Sequence, residues 1–239
     1  MASVSESTRG KNPPTAAVLT GDVVRSSEAG KAALRRLPGL LRGAGKAAAD
    51  ILPDAGVSGI DIFRGDSWQI FVRDPSAALH AALLVRSFLL GGGARGEPAW
   101  DTRVAFGFGT VDRLDKRKVS RSQGAAFAAS GAALDSLADS RARMAVAADE
   151  PGEPRAGTFA RANVLLLDAL VQNWTSKQAW AVHGAIRGQI QSDIGASFRP
   201  PVAQSTVVRH LHSARWDVLE TILGVWRDPQ PPDDSAQNT

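Results

Sequence analysis

The sequence predicts an α+β protein: a ferredoxin-like βαββαβ domain over roughly the first two thirds, followed by an all-α helix-turn-helix module. Three observations carry this. Short apolar runs with strand propensity alternate with Ala- and Leu-rich helical stretches in the order strand, helix, strand, strand, helix, strand. A stretch containing Pro and Gly, residues 150 to 157, then interrupts the pattern. Beyond it the chain reads as helix after helix with short turns. The implied organisation is an unstructured N-terminus over 1–14, an α+β domain over 15–150, a linker at 151–158, a helical domain over 159–227 and an unstructured end over 228–239.

Ala16 to Thr20 (AAVLT), stopped by Gly21 and Asp22, is a buried first strand. A helix over Glu28 to Leu52 follows, capped from Ser26 or Ser27. Pro38 predicts a bend or break in it, because proline lacks the amide hydrogen and crowds the preceding turn. Val57 to Phe63 and Trp68 to Val72 are strands joined by Arg64, Gly65, Asp66 and Ser67, a hairpin signal. Pro75 opens a second helix, Ala77 to Leu90, ended by Gly91 to Gly93, which read as connector. Thr102 to Val111 alternates as a strand, with Val104, Phe106 and Phe108 on one side. A basic loop holding Lys116, Arg117, Lys118 and Arg121 leads to a small-residue helix from about Ser122 to Leu137, and Met144 to Ala148 is a last strand.

In the second part, Phe159 to Asn173 is an amphipathic helix, and Thr175 caps another that Gly188 closes. Gln189 to Ser197, the turn FRPPVAQ and a helix from Ser205 through Trp226 complete trihelical spacing, in which the last helix would lie in a DNA major groove. Gln204, Ser205, Thr206, Arg209 and His212 form the candidate base-reading face, with Arg187 and Arg199 as candidate phosphate contacts. Val207, Val208, Leu211, Trp216, Leu219 and Ile222, at helical spacing, equally suit a module that dimerises or binds a protein.

Composition narrows the function classes. The 239 residues hold 28 Lys plus Arg against 24 Asp plus Glu, a net +4. The excess is shared equally by the two parts, so charge density is higher in the shorter C-terminal one, which permits contact with a polyanion without requiring it. The absence of cysteine excludes disulfides and thiolate metal sites. No signal-like apolar segment opens the chain and no apolar run reaches roughly 20 residues, so the expectation is a cytoplasmic protein with no membrane partner. The histidines lack zinc-site spacing, and there is no GxSxG, Walker A or dinucleotide glycine pattern.

In the predicted topology the first and third strands are central antiparallel neighbours, so Asp22 and Asp66 are expected to meet. Two converging carboxylates repel unless a cation or proton intervenes, and Mg²⁺ is typically held by one or two carboxylates plus phosphates. Asp22 and Asp66 are therefore candidate metal ligands, and the amides of Ser26 and Ser27 candidate phosphate contacts. Each aspartate could instead satisfy its own turn.

The stretches TGDVVRSSE (20–28), RGDSWQIF (64–71), RVAFGFG (103–109) and SQGAAFAASGAAL (122–134), in this order, resemble the SatD family. That resemblance spans most of residues 16 to 226 and implies a DNA-binding-like helical segment at the C-terminal end. The strand order and the two aspartates are also similar to the palm domain of class III nucleotidyl cyclases, in which the equivalents of Asp22 and Asp66 hold two metal ions. The resemblance thus implies a nucleotide ligand and Mg²⁺ or Mn²⁺. Cyclases carry an Asn and an Arg four residues apart on the helix after the fourth strand, where this chain has Ala128 and Ala132, which supply no charge to a transition state. Lys118 or Arg121 of the basic loop are the candidate substitutes. The expected function is a DNA-binding transcriptional regulator with a nucleotide- and metal-binding sensory domain, able to work as a homodimer. The alternatives are a nucleotidyl cyclase or related phosphotransferase using Asp22 and Asp66, and a non-enzymatic interaction module.

Overall fold

A computed structural model describes residues 15–147 and 154–228 of the protein. The expectations for 1–14, 148–153 and 229–239 lie outside the described residues. The elements are β1 (Thr15–Val23), α1 (Lys31–Ile51), β2 (Asp61–Phe63), β3 (Ser67–Val72), α2 (Ala78–Leu90), β4 (Thr102–Thr110), α3 (Ala125–Asp135), β5 (Met144–Val146), α4 (Pro154–Gln172), α5 (Ser176–Ile186), α6 (Gln191–Ser197), α7 (Gln204–Ser213) and α8 (Trp216–Arg227). One sheet has the order β2-β3-β1-β4-β5. β1 runs antiparallel to both β3 and β4, and β2 antiparallel to β3. This is the expected ferredoxin-like arrangement, with β5 added at the edge, parallel to β4, through the crossover helix α3.

The period-2 alternation of the strands divides the sheet into two unlike faces. Leu19, Trp68, Ile70, Val104 and Phe106 point to the side where α1 and α2 close the core. Val18, Thr20, Asp22, Gln69 and Arg103 point to the other side, where α3 packs on β1 and β4. Hence one face is apolar throughout and the other is polar at one end.

Several local expectations need correction. Neither Ser26 nor Ser27 caps α1: Ser26–Glu28 form a separate 3-10 turn, Ser26 Oγ donates to the Asp66 carboxylate, and Gly30 takes the N-cap position. α1 runs through Pro38 as one helix. The carbonyl that loses its amide partner there belongs to Leu34, an exposed residue. β2 is shorter than expected. Val57 makes an isolated bridge to Val72, and the Ser58 hydroxyl accepts the Phe71 amide at 2.9 Å, so a side chain replaces a rung of the ladder. Gly91 to Gly93 are more than connector: they sit in the 3-10 segment Gly91–Arg95 beneath α5, and a Cβ at Gly91 would come within 3.1 Å of Trp180. By length and apolarity, residues Pro75–Arg95 could cross a membrane, yet 78% of the span's most apolar 18-residue stretch is buried, as befits a core helix.

α4 begins at Pro154, inside the stretch read as a linker, and the helical part shares the core of the sheet part. Leu167 and Val171 of α4, Trp180 and Val182 of α5 and Leu219 and Leu223 of α8 belong to the same buried cluster as Leu83 and Leu89 of α2. Arg86 of α2 is fully buried at this junction. It donates to Asp101 (Nε, 2.9 Å) and to Asp168 of α4 (Nη1, 2.6 Å), and Asp168 also accepts the Arg143 amide at 2.6 Å and Gln172 at 2.9 Å. α5 has the expected cap, a reciprocal Thr175–Gln178 box. The long last helix predicted from Ser205 to Trp226 is two helices. Trp174 Nε1 captures the Ala214 carbonyl at 3.1 Å, and Arg215, in the left-handed region at φ 57°, turns α8 back onto α2.

His183 of α5 gives the fold a measurable acid limit. Its ring is buried, stacks on Trp180 with centroids 5.0 Å apart, and its Nδ1 lies 3.1 Å from Ser87 Oγ. Burial, reinforced by Arg187 and Arg95, pushes its pKa down to about 3. The unfolded chain takes up this proton near 6.5 and the folded chain does not. The stability it contributes is therefore complete above pH 6.5 and is lost as pH falls toward 3, by about 1.4 kcal/mol per pH unit. Burial lowers His80 and His210 in the same direction. Denaturant titrations should show a loss of about 2 kcal/mol from His183 between pH 7 and pH 5, and His183→Phe should remove that part of the slope.

Candidate functional site

The polar end of the sheet is the floor of a cleft of about 860 Å³. Thr20, Asp22, Ser67, Gln69 and Arg103, from β1, β3 and β4, make the floor. Arg64 of the β2–β3 hairpin and Ser120, Ser122 and Gln123 of the loop before α3 line the mouth, and Phe127, Ala128 and Gly131 of α3 form the roof. The roof sits close because of Gly107 on β4. A Cβ there would overlap the Ala126 carbonyl oxygen and the Ser130 amide, both backbone atoms. Thr20 and Ser130 hydroxyls then meet at 2.7 Å across the helix–sheet contact. Gln69 Nε2 donates to Thr20 at 2.9 Å and Ser130 donates to the Phe127 carbonyl at 3.0 Å, so each hydroxyl can serve once as donor and once as acceptor.

Strand register sets Asp22 opposite Ser67 on β3 and Arg103 on β4. Arg103 grips both carboxylate oxygens, Nε to Oδ1 at 2.8 Å and Nη2 to Oδ2 at 2.5 Å, and its Nη1 donates to the Leu137 carbonyl at 3.2 Å. Both side chains are about one fifth to one quarter exposed, so the pair is open to a ligand from the cleft. Asp66 is beside Asp22 along the backbone, where its carbonyl accepts the Val23 amide at 3.3 Å. Its carboxylate has a different partner, Ser26. Among the described residues no three His, Cys, Asp or Glu side chains gather as a metal cage. The two carboxylates, expected to meet, are thus engaged separately, Asp22 by Arg103 and Asp66 by Ser26, and of the two Asp22 lines the cleft.

The other predicted phosphate contacts are distributed differently. Ser26 is buried and committed to Asp66, and Ser27 is exposed. Lys118 and Arg121 are exposed on the basic loop, which is firmly held. The Asp115 carboxylate accepts the Lys118 and Arg117 amides at 2.9 Å, which holds its pKa below the usual range, and the Ser120 amide donates to Asp61 at 2.9 Å. Ser120 and Ser122 line the cleft beside this tether, the Ser122 hydroxyl accepting the Asp115 amide at 2.9 Å. Arg103, Gln69 and Thr20 line the cleft and Ser130 is buried beneath its roof; the sequence reading gave none of them a role in the site. A usable signal existed in the polar alternation Thr20/Asp22 and Ser67/Gln69 within otherwise apolar strands, but nothing local joins Arg103 to an aspartate 81 residues away.

On α7, Gln204, Ser205, Arg209 and His212 are exposed and Thr206 is half-buried. Gln204 donates to Gln191 of α6 at 3.1 Å, and Arg209 donates to Thr206 at 3.3 Å. Arg187 is exposed after α5, while the exposed Arg199 donates to the carbonyls of Ala196 at 3.0 Å and Phe198 at 2.8 Å.

No family model matches the chain, and no curated protein sequence matches it. Solved structures similar to it include a bacterial light-regulated adenylyl cyclase, at a TM-score of 0.37 and 12% identity over 55% of this chain and 74% of that one. The guanylyl cyclase domain of the RhoGC fusion protein from the aquatic fungus Blastocladiella emersonii gives a TM-score of 0.31 and 15% identity, over 48% of this chain and 78% of that one. The adenylyl cyclase CyaB from P. aeruginosa gives 0.29 and 21%, over 46% and 63% respectively. At this level of similarity no function passes from those proteins to this chain.

Proposed function

We propose that the cleft over β1, β3 and β4 binds a nucleotide polyphosphate together with a divalent cation. The observation that supports this most directly is the Asp22–Arg103 pair at the edge of a polar floor. A guanidinium presents a planar fork suited to phosphate, and a carboxylate released from it is a ligand for Mg²⁺ or Mn²⁺. Arg103, aided by Arg64 at the mouth, takes the phosphates. Asp22 holds the cation, joined by Asp66 from the adjoining hairpin, and a bound cation neutralises and orients the phosphates. Gln69 and Ser67 offer hydrogen bonds to base or sugar, and Phe127 offers an apolar ring to a base.

Two roles for such a site differ in turnover. The roof carries Ala128 and Gly131 and no cation, which favours a sensory ligand over fast chemistry. The presence of an aspartate on β1 and another on the adjoining β2–β3 hairpin favours a cyclase or related phosphotransferase, once Arg103 has released Asp22. Calorimetric titration with each nucleoside triphosphate in Mg²⁺ tests binding. Asp22→Asn and Arg103→Gln should each weaken it by roughly 10- to 100-fold, the worth of a charge-assisted contact. Absence of binding by the wild-type protein would end the proposal, and product analysis of the same mixtures separates sensor from enzyme.

The SatD-like motifs support a finer reading, in which the helical part contacts DNA through Gln204, Ser205, Thr206, Arg209 and His212, with Arg187 and Arg199 on phosphates. Retardation of duplex DNA that weakens steeply as salt rises is the expected result. Retention that ignores salt, or no retention, removes that role and leaves the cleft reading intact.

A further inference from the structure

α4 turns Val164, Leu167, Asp168 and Val171 into the core. On its opposite side Phe159 is 69% and Leu166 72% exposed, and Ala162 and Ala169 are exposed with them. Their spacing of three and four residues makes one continuous apolar stripe, flanked by Leu165 at 53% exposure. Among the residues whose side chains are described, those beside the stripe are Thr158, Asn163 and Gln172 with a single charge, Arg161, the low-charge composition found at interface centres. Scattered exposed apolar residues are ordinary; a stripe of this shape marks an interaction surface.

The stripe is complementary to itself. If two copies of α4 run antiparallel about a two-fold axis at the level of Val164, Phe159 stands opposite Ala169 of the second copy and Leu166 opposite Ala162. Every layer then holds one large and one small side chain, the alternation that fills a helix–helix seam without voids or clashes. A parallel pair would set Phe159 on Phe159 and Ala162 on Ala162, with overfilled and empty layers in turn. Such self-complementarity is what an isologous interface requires, and it is the argument for a second copy of this chain as the occupant. We propose that α4 is the homodimer interface of this protein, antiparallel to α4 of a second copy.

The size of the stripe sets the strength of the dimer. From Phe159 to Ala169 it covers about 15 Å of helix, at the small end for specific interfaces, so association should be weak and depend on concentration. The seam continues past Leu165 into a groove of about 460 Å³ between α3, β5 and α4, lined by Ala133, Leu137 and Met144, which can add to it. This inference does not depend on the nucleotide reading.

Sedimentation velocity over a range of about 1 to 200 µM should show the wild-type chain moving from monomer to dimer. Phe159→Glu and Leu166→Glu should each remain monomeric with unchanged thermal unfolding, since both side chains lie outside the core. The chain has no cysteine, so single substitutions report cleanly. An oxidised mixture of Ala162→Cys and Leu166→Cys proteins should yield a disulfide-linked heterodimer that neither protein forms alone. A wild-type chain that stays monomeric throughout, a dimer indifferent to both glutamates, or no crosslink in the mixture would overturn the assignment.

Discussion

Asp168→Ala should lower the unfolding free energy by about 3–5 kcal/mol, the characteristic cost of removing one partner from a buried ion pair. Arg86 would be left fully buried, with Asp101 as its remaining carboxylate, itself about one quarter exposed. The Arg143 amide and Gln172 would lose their acceptor in the same step. For a chain of this length the melting temperature should fall by about 6–20 °C. The loss reports an orphaned charge more than the net worth of the pair, so Arg86→Met combined with Asp168→Leu should recover much of it. A drop below about 1 kcal/mol in Asp168→Ala would mean that water reaches Arg86 and that the junction is looser than described.

Gly107→Val should have the second large effect, on stability and site together. The added side chain would meet the Ala126 carbonyl oxygen and the Ser130 amide, backbone atoms that cannot rotate away, so α3 must lift from the sheet. Overpacking of this kind costs about 1–3 kcal/mol and more where backbone must move. Lifting α3 separates Ser130 from Thr20 and shifts Phe127 and Ala128 in the cleft roof. Titration of the folded fraction with nucleotide and Mg²⁺ should then show binding reduced beyond what the loss of stability explains. Unchanged affinity would place the ligand away from α3.

The buried Arg86 and the Asp22–Arg103 pair of the cleft floor meet at residues 101 to 103. Asp101 holds Arg86, Thr102 donates to the Asp22 carbonyl at 2.7 Å and accepts Trp68 Nε1 at 2.9 Å, and Arg103 grips the Asp22 carboxylate. Three consecutive residues thus tie the cleft on one face of the sheet to the buried charge that anchors α4 on the other. A ligand that draws Arg103 from Asp22 must act on this stretch, which is where a coupling between cleft and helical part would be sought.

The order and kind of most elements were legible because each carries its own local signal: AAVLT as a buried strand, the hairpin around Gly65, the N-cap at Thr175. The errors fall where a distant group overrides local preference. Ser26 looks like a helix cap and is drawn off by Asp66. The helix expected through Trp226 breaks because Trp174, forty residues earlier, takes the Ala214 carbonyl. Gly91 to Gly93 look like punctuation and are a seat for α5.

By itself, then, the sequence determined the α+β class, the βαββαβ order and the backbone adjacency of Asp22 and Asp66, since apolar spacing and turn chemistry are local properties that survive without knowledge of partners. Only the tertiary structure decided that Asp22 is matched by Arg103, that Asp66 is matched by Ser26, and that the helical part shares a core with the sheet. Those outcomes depend on strand register and on which face each side chain takes. Hydrogen bonds and ion pairs act over a few ångströms of space, and spacing along the chain does not record that distance.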